Sequence, residues 1–273
     1  MNESPDTDQS PIVVHDLVAE YRNSGRVGVH ALRGVSFTVG RGEILGVLGE
    51  SGSGKTTLAR ILAGELVRKG PGGFDVRISG GEALVNGIAL RTLSKTKLNR
   101  LTFHTAYLPQ DANDRLDRTS TVSELIAEPI FARDKRFDPD AAQSRALSVL
   151  DAVELPLSVL DRYPYELSDG QRQRVAIARS LVLGPNVLVA DEPTAGIDVT
   201  VRDTVVRVIG KLREDPSFAA LIVTHDLAVL RQLGATIAVL HDGVIVGYGD
   251  IDTVFAEPNH SYVARLGRAL GWK

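Results

Sequence analysis

Short apolar runs alternate with a helical pattern in the second half of the chain. Residues 43–48, 187–190 and 219–223 are mainly apolar and typical of strands buried on both faces of a parallel sheet. Between the last two runs, apolar residues recur every three or four positions, as on one face of a helix. They are Val201, Val205, Val208, Ile209 and Leu212. This alternation predicts βαβ crossovers and an α/β fold.

Other stretches have the pattern of antiparallel strands. Residues 12–21 and 35–39 are alternating or apolar, and polar turns separate them. Residues 76–88, with the glycine pair at 80–81, have the composition of strands and turns. An Asp-Gly turn within residues 236–248 predicts a hairpin. We therefore expect antiparallel strands beside the parallel core.

Helix signals replace strand signals in the middle of the chain. Thr121 and Glu124 have the spacing of a capping box. Asp138 before Pro139 marks the start of another helix. We expect residues 112–183 to form an α-helical lobe inserted into the α/β core.

Composition is that of an ordinary globular protein and excludes several classes. The chain has 273 residues, 43% of them hydrophobic, and a net charge of −3, which gives no electrostatic footprint for nucleic acid. Its longest strictly apolar run has six residues (218–223), far too few to span a bilayer. The absence of cysteine excludes thiolate chemistry and disulfides. Residues 1–11 are polar and are expected to form a disordered leader rather than a signal peptide.

The most informative segment fits the phosphate-binding pattern G-x-x-x-x-G-K-[ST]. Its residues are Gly49, Glu50, Ser51, Gly52, Ser53, Gly54, Lys55 and Thr56. The predicted strand before it and the helical spacing of Leu58, Ile61 and Leu62 after it supply the strand–loop–helix setting that the motif requires. Lys55 is expected to reach the β- and γ-phosphates, and the Thr56 hydroxyl to ligate Mg²⁺. The sequence thus predicts a nucleoside triphosphate site.

This motif alone leaves kinases, GTPases, motors and transporter ATPases open. Asp191 and Glu192 follow the buried run at residues 187–190. A carboxylate at the carboxyl end of such a strand can hold the Mg²⁺ that Thr56 also ligates, and the next carboxylate can polarise an attacking water. The pair favours a hydrolytic site.

Residues 165–174 contain a second candidate anion site. Ser168 and the backbone N–H groups near Gly170 are predicted to lie at the start of a helix running to Leu183. The segment, which includes Gln171, resembles the signature Leu-Ser-Gly-Gly-Gln of ATP-binding cassette (ABC) ATPases. Asp169 departs from it, since the family usually has glycine there, and a carboxylate beside a phosphate is repulsive unless it points away.

The resemblance to ABC ATPases extends from about residue 12 to residue 270 with all motifs in order. It implies the P-loop NTPase fold of that family: a mixed sheet core, an antiparallel β subdomain and an inserted helical lobe. It also implies ATP and Mg²⁺ as ligands. Further site residues follow from it: Gln110 at Mg²⁺ or the attacking water, His225 at the γ-phosphate, Asp198 in a loop crossing a dimer interface, Tyr21 stacked on adenine, and Thr57 beside the phosphates.

The same resemblance implies partners. ABC ATPases act as head-to-tail dimers, so a second ATPase subunit, identical or related, is expected. The sequence around Asp198 and the tail at residues 257–262 resemble the ATPase subunits of oligopeptide, dipeptide and nickel importers, although Ser261 and Val263 depart from the usual tail. Such a subunit lies peripherally on the cytoplasmic face of the membrane, with two transmembrane permease subunits, an extracytoplasmic solute-binding protein and no nucleic acid.

The resemblance also sets the expected domain bounds and one alternative. Residues 12–258 are expected to form the ATPase domain and residues 259–273 a C-terminal tail. The alternative is an ATPase of a soluble enzyme assembly, such as a phosphonate-cleaving complex, whose ATPase component has a similar tail. Soluble relatives in DNA repair or translation normally carry a long coiled coil or tandem cassettes, and the sequence has neither.

Overall fold

The computed structural model describes residues 10–23, 26–68 and 74–272. Residues 1–9 of the predicted leader lie outside the described residues. The strands are β1 (Ile12–Asn23), β2 (Arg26–Val39), β3 (Ile44–Leu48), β4 (Val67–Arg68), β5 (Phe74–Val85), β6 (Ile88–Ala89), β7 (Thr105–Leu108), β8 (Val187–Asp191), β9 (Ala219–Val223), β10 (Thr236–His241) and β11 (Val244–Gly249). The helices are α1 (Lys55–Leu62), α2 (Lys95–His104), α3 (Val122–Phe131), α4 (Pro139–Ala152), α5 (Asp169–Leu181), α6 (Val199–Arg213), α7 (Leu227–Gln232), α8 (Ile251–Ala256) and α9 (Ser261–Ala269).

A mixed sheet forms the centre of the fold. Its strand order is β11-β10-β3-β9-β8-β7, and every neighbouring pair is parallel except β10 and β11. Strands β3, β8 and β9 are buried at every residue, as their apolar runs predict. Because parallel strands end at the same edge, the segments that follow β3, β8 and β9 come together there.

The second sheet is antiparallel, with the order β2-β1-β5-β4. The predicted strand at residues 35–39 begins much earlier, at Arg26, because residues such as Val29 and His30 pair in β2 while their side chains stay exposed. The glycine pair at 80–81 lies inside β5 rather than in a turn. It faces an irregularity in β1, where a Cβ on Gly81 would overlap the Asp16 carbonyl.

The middle of the chain is helical, and α3, α4 and α5 pack against one another. A capping box between Thr121 and Glu124 begins α3, and Asp138 caps α4, as the sequence predicts. The predicted helix running to Leu183 ends at Leu181 instead, because the chain turns at Gly184 with a positive φ of 68°. The lobe bounds at residues 112 and 183 stay a prediction.

Two apolar cores lie on opposite faces of the mixed sheet. Leu45 and Val47 of β3 face the antiparallel sheet and α1, whereas Ile44 and Leu48 face the helices on the other side. Helix α1 is therefore enclosed between the two sheets, and its N-terminus is fixed at the sheet edge. Within the described part of the chain, no helix combines the length and the apolar character needed to cross a membrane.

Candidate nucleotide-binding site

The loop between β3 and α1 is a tight turn that requires glycine at two positions. Gly49 has a φ of 154°, and a Cβ there would overlap the carbonyl oxygen of Leu240. Gly54 has a φ of 109°, and a Cβ there would lie 2.5 Å from the carbonyl oxygen of Ala31. No described side chain caps the start of α1. The first-turn N–H groups thus remain for an anion.

This loop opens into a cavity of about 500 Å³ at the carboxyl edge of the mixed sheet. The predicted site residues that line it are Tyr21, Gly49, Ser51, Gly52, Gly54, Lys55, Thr56, Thr57, Gln110, Asp191, Glu192 and His225. The lining also includes Val29, His30 and Ala31 of β2. Sequence reasoning missed these three because it did not extend the strand that far.

Lys55, the first residue of α1, supplies a cation at the loop. Its Nζ donates to the carbonyl oxygens of Gly49 at 2.8 Å and Glu50 at 2.7 Å. Burial lowers the pKa of Lys55, and the negative charges of Glu192, Asp191 and Glu50 oppose that shift. The carboxylates thereby favour the charged ammonium, which is the form that binds phosphate.

Asp191 and Thr56 bring a carboxylate and a hydroxyl together. Asp191 ends β8, is 1% exposed, and has a pKa that burial raises, while a hydrogen bond with Thr56 opposes the rise. Its Oδ2 is buried and has no hydrogen-bond partner among the described residues. A buried carboxylate oxygen left unsatisfied beside a hydroxyl fits a site for a hard divalent cation such as Mg²⁺.

Glu192 and His225 lie side by side at this edge. Glu192 Oε1 is 3.0 Å from His225 Nδ1, and the Glu192 N–H donates to the Val223 carbonyl at 2.8 Å. Glu192 has a φ of 53°, an unusual value for a residue other than glycine. Its Oε2 is buried without a hydrogen-bond partner in the described part of the chain. The residue lines the cavity, so the structure places a carboxylate there beside Lys55 and His225.

Tyr21 and Thr57 close another side of the cavity. The Tyr21 hydroxyl and Thr57 Oγ1 are 2.8 Å apart, and the Tyr21 ring packs partly against the apolar core. This bond fixes a flat aromatic surface beside the start of α1. The geometry suits stacking on a base, which stays a prediction.

The remaining predicted site residues do not line the cavity: Glu50, Ser53, Ser168, Gly170, Gln171 and Asp198. Ser168 and Gln171 form a capping box at the start of α5, in which Ser168 Oγ accepts from the Gln171 N–H at 3.3 Å and Gln171 Oε1 accepts from the Ser168 N–H at 3.0 Å. Asp169 is 71% exposed and pairs with Arg172 on the same helix. Asp198 caps α6 through the Val201 N–H.

A buried amide that the sequence reasoning missed connects α5 with the cavity. Gln173 is 5% exposed, and its Nε2 donates to the Pro193 carbonyl at 2.6 Å, directly after Glu192. The two residues are 20 positions apart, so no local pattern announces the contact. The bond ties the signature helix to the segment that carries the carboxylates.

Comparison with known proteins identifies the class of this chain. A family model described as "ABC transporter" matches residues 32–195, more than half of the sequence. The chain belongs to the ABC transporter ATP-binding family and has the fold of ABC ATPases, which confirms the resemblance drawn from its motifs.

The relatives it resembles include importer components. It is 35% identical over 261 residues to the oligopeptide transport ATP-binding protein OppF of Lactococcus lactis subsp. lactis, covering 94% of this chain and 77% of that one. It is 38% identical over 242 residues to the glutathione import ATP-binding protein GsiA of Escherichia coli K12, covering 89% of this chain but 37% of GsiA. A dimeric structure of the ATP-binding cassette MJ0796 with ADP and Pi superposes with a TM-score of 0.76 at 27% identity, over 88% of this chain and 98% of that one.

Proposed function

We propose that this chain is the ATP-hydrolysing subunit of an importer for peptides or a similar small solute, which passes through separate permease subunits. The observation that carries the proposal is the cavity that joins Lys55, Asp191, Glu192 and His225. Similarity to OppF over most of both chains supports the importer class and the peptide-like solute. The soluble phosphonate-cleaving alternative is not favoured, because the relatives are named as importer ATPases.

The phosphate-binding loop at residues 49–56, called the cradle from here on, binds the triphosphate in this proposal. The first-turn N–H groups of α1 and the Lys55 ammonium face the β- and γ-phosphates. Tyr21, which is bonded to Thr57 of α1 and lines the same cavity, stacks on the adenine ring. Thr56, Asp191 and Gln110 would hold Mg²⁺, which when bound would supply positive charge beside the phosphates.

Hydrolysis then depends on residues at the ends of β8 and β9. Glu192 lines the cavity beside Lys55 and accepts a proton from the attacking water in this proposal. His225 is held 3.0 Å from that carboxylate and contacts the γ-phosphate from its exposed position. The Glu192 N–H is bonded to the Val223 carbonyl, which holds this residue at the end of β9.

A second ATPase subunit completes the site. Ser168, Gly170, Gln171 and Asp198 lie outside the cavity of their own subunit, so we assign them to the nucleotide bound by the partner. The γ-phosphate then bridges two subunits and stabilises the closed dimer, and its removal by hydrolysis lets the dimer open. The dimeric state of the similar MJ0796 cassette supports this arrangement.

A groove of about 850 Å³ is our proposed contact for a permease segment. Phe103 of α2, Arg133 beyond α3 and Arg179 of α5 line it, and it reaches Pro109 next to Gln110. A permease segment bound in this groove would contact the residues next to Gln110, which lines the nucleotide cavity. In this proposal the subunit lies on the cytoplasmic face of the membrane, and a solute-binding protein joins on the other face through the permeases.

Co-purification from native membranes tests the importer assignment. A tagged chain should bring down multi-span permease subunits, and Phe103→Asp should reduce their recovery while ATP binding persists. Recovery of soluble enzyme components instead, or of the chain alone, would exclude the importer role.

Nucleotide chemistry is tested separately with Lys55→Ala. Loss of the phosphate-binding cation should lower ATP turnover by about 100-fold or more, the scale of removing one preorganised charge contact. Lys95→Ala, an exposed lysine at the start of α2, is the matched control. If Lys55→Ala and Lys95→Ala hydrolyse ATP at the same rate, the phosphate-binding loop is not needed for hydrolysis.

A further inference from the structure

The turn between β10 and β11 supports the phosphate loop from behind. The Leu240 carbonyl packs against Gly49 so closely that no Cβ fits there. The Gly243 N–H donates to the Ser53 carbonyl at 3.1 Å. Two residues of the loop are thus held by backbone atoms that lie almost 200 positions later in the chain.

His241, at the end of β10, extends this support to the side chain of Glu50. Its Nδ1 is 2.9 Å from Glu50 Oε1, and its Nε2 is 3.8 Å from Asp242 Oδ2. Each ring nitrogen thus lies near a carboxylate oxygen, and Nδ1 makes no hydrogen bond with a described residue. Glu50 does not line the nucleotide cavity, although Gly49 and Ser51 on either side of it do.

The C-terminal segment holds the His241 ring in place. Tyr262 of α9 stacks on it with ring centroids 4.0 Å apart and an angle of 10° between planes. Tyr262 is 5% exposed, and its N–H donates to His260 Nδ1 at 3.1 Å, which caps α9. Burial raises the pKa of the Tyr262 phenol, and the negative charge of Glu50 adds to that rise.

The position of Glu50 matters electrostatically. Its carbonyl accepts a hydrogen bond from Lys55 Nζ at 2.7 Å, so its backbone belongs to the cradle. Its carboxylate carries the same sign of charge as a triphosphate and would repel it from within the cavity. The Glu50 carboxylate instead contacts His241 at 2.9 Å, and Glu50 does not line the cavity.

We propose that His241 and Tyr262 are positioning residues that hold the Glu50 carboxylate away from the phosphates, so that the C-terminal segment sets the affinity of the cradle for ATP. The inference rests on the proposed function, since it concerns the same nucleotide site. It assigns a role to the tail that neither the phosphate motif nor the signature segment includes.

A double-mutant cycle on the full chain tests the coupling. His241→Ala should weaken binding of a nonhydrolysable ATP analogue with Mg²⁺ by about fivefold, the upper range for one partly exposed side-chain contact of a carboxylate. In a Glu50→Gln background, the same substitution should change the dissociation constant by less than about twofold, because no carboxylate remains to be held. The KM for ATP should follow the dissociation constant while kcat stays nearly constant.

Conservative variants separate positioning from general damage. Tyr262→Phe keeps the stacked ring and should retain wild-type affinity, whereas Tyr262→Ala should weaken binding as His241→Ala does. Trp272→Ala is the matched control, because Trp272 packs on Phe255 in the same tail at a ring distance of 5.5 Å, away from the loop. It should leave the affinity unchanged.

The outcomes distinguish this inference from the proposed function. An equal loss from His241→Ala in both backgrounds, or no loss in either, overturns the positioning role while ATP binding stands. Equal weakening by Trp272→Ala also overturns it, because the effect would then be general loosening of the tail. A wild-type chain that binds no ATP analogue overturns the proposed function itself.

Discussion

Helices α1 and α5 both begin at a predicted phosphate contact, but their first turns are completed differently. Gly54 directly precedes α1 and has a left-handed conformation, and no described side chain caps the helix. At α5, Ser168 and Gln171 cap each other's N–H groups in a reciprocal box. The first-turn N–H groups of α1 are therefore left for a ligand. At α5, side chains of the same helix start accept hydrogen bonds from the N–H groups.

This difference indicates an order of events. The loop before α1 lies in a formed cavity with Lys55 and Asp191, so in the proposed mechanism we expect the nucleotide to bind there first. In the proposed dimer, a phosphate at α5 of the partner would compete with the bonds between Ser168 and Gln171. The second contact therefore exchanges hydrogen bonds and gains less per contact than the first. Such a contact suits a dimer that closes and reopens.

The largest expected effect comes from Glu192→Gln, which removes the proposed base and leaves the N-termini of α1 and α5 unchanged. Glu192→Gln should slow hydrolysis by about two to four orders of magnitude, because the general base is lost while the cradle and signature segment are intact. Binding of ATP should persist. Phosphate release measures turnover, and size-exclusion chromatography with ATP should show the accumulated closed dimer.

Glu214→Gln is the control for that experiment. Glu214 is an exposed carboxylate at the end of α6, and its loss should leave hydrolysis unchanged. Normal turnover in Glu192→Gln would remove Glu192 from the role of base. Loss of ATP binding in it would mean that the two functions are not separable.

Local signals in the sequence predicted the elements that carry the site. The strands β8 and β9 and the glycine loop are each one short, unbroken stretch of sequence. A pattern of a few residues therefore predicts each of them. The box at Thr121 spans four residues and was found for the same reason. These elements place Asp191 at the sheet edge without further information.

Contacts between distant residues were not predictable. The bond of Gln173 to Pro193, and the contact of Glu50 with His241, join residues that share no periodic pattern. Helix α2 was also missed, since only Leu101 of its residues is fully buried and the apolar stripe is weak. The sequence predicted Ser168 at the start of α5. Only the structure shows that Ser168 and Gln171 cap each other's N–H groups, with which an anion would have to compete.

An intermediate effect is expected from Ser168→Ala, which tests the α5 side of the comparison. Loss of the cap should lower the free energy of unfolding by about 1 kcal/mol. It should also lower ATP hydrolysis by about tenfold, the scale of one lost phosphate contact of moderate strength, while affinity at the cradle is unchanged. Thermal unfolding and turnover measure the two effects.

Thr121→Ala is its matched control, because Thr121 has the same capping box on α3. It should cost a similar free energy of unfolding without the loss of hydrolysis. If both variants lose turnover equally, the role of Ser168 is capping alone, and the contrast between the two helix starts carries no function.

The smallest effect is expected from Asp169→Gly, which restores the residue usual in the signature segment. The Asp169 carboxylate is already paired with Arg172 and largely exposed, so it adds little repulsion toward a phosphate at α5. Hydrolysis should be unchanged or higher, and stability should fall by about 0.5–1 kcal/mol because glycine replaces a first-turn aspartate. Asp252→Gly is the control, since Asp252 lies in the first turn of α8 and pairs with Arg231 at 3.1 Å. A collapse of hydrolysis in Asp169→Gly alone would show that the carboxylate positions the start of α5, and the second half of the site would then depend on this charge.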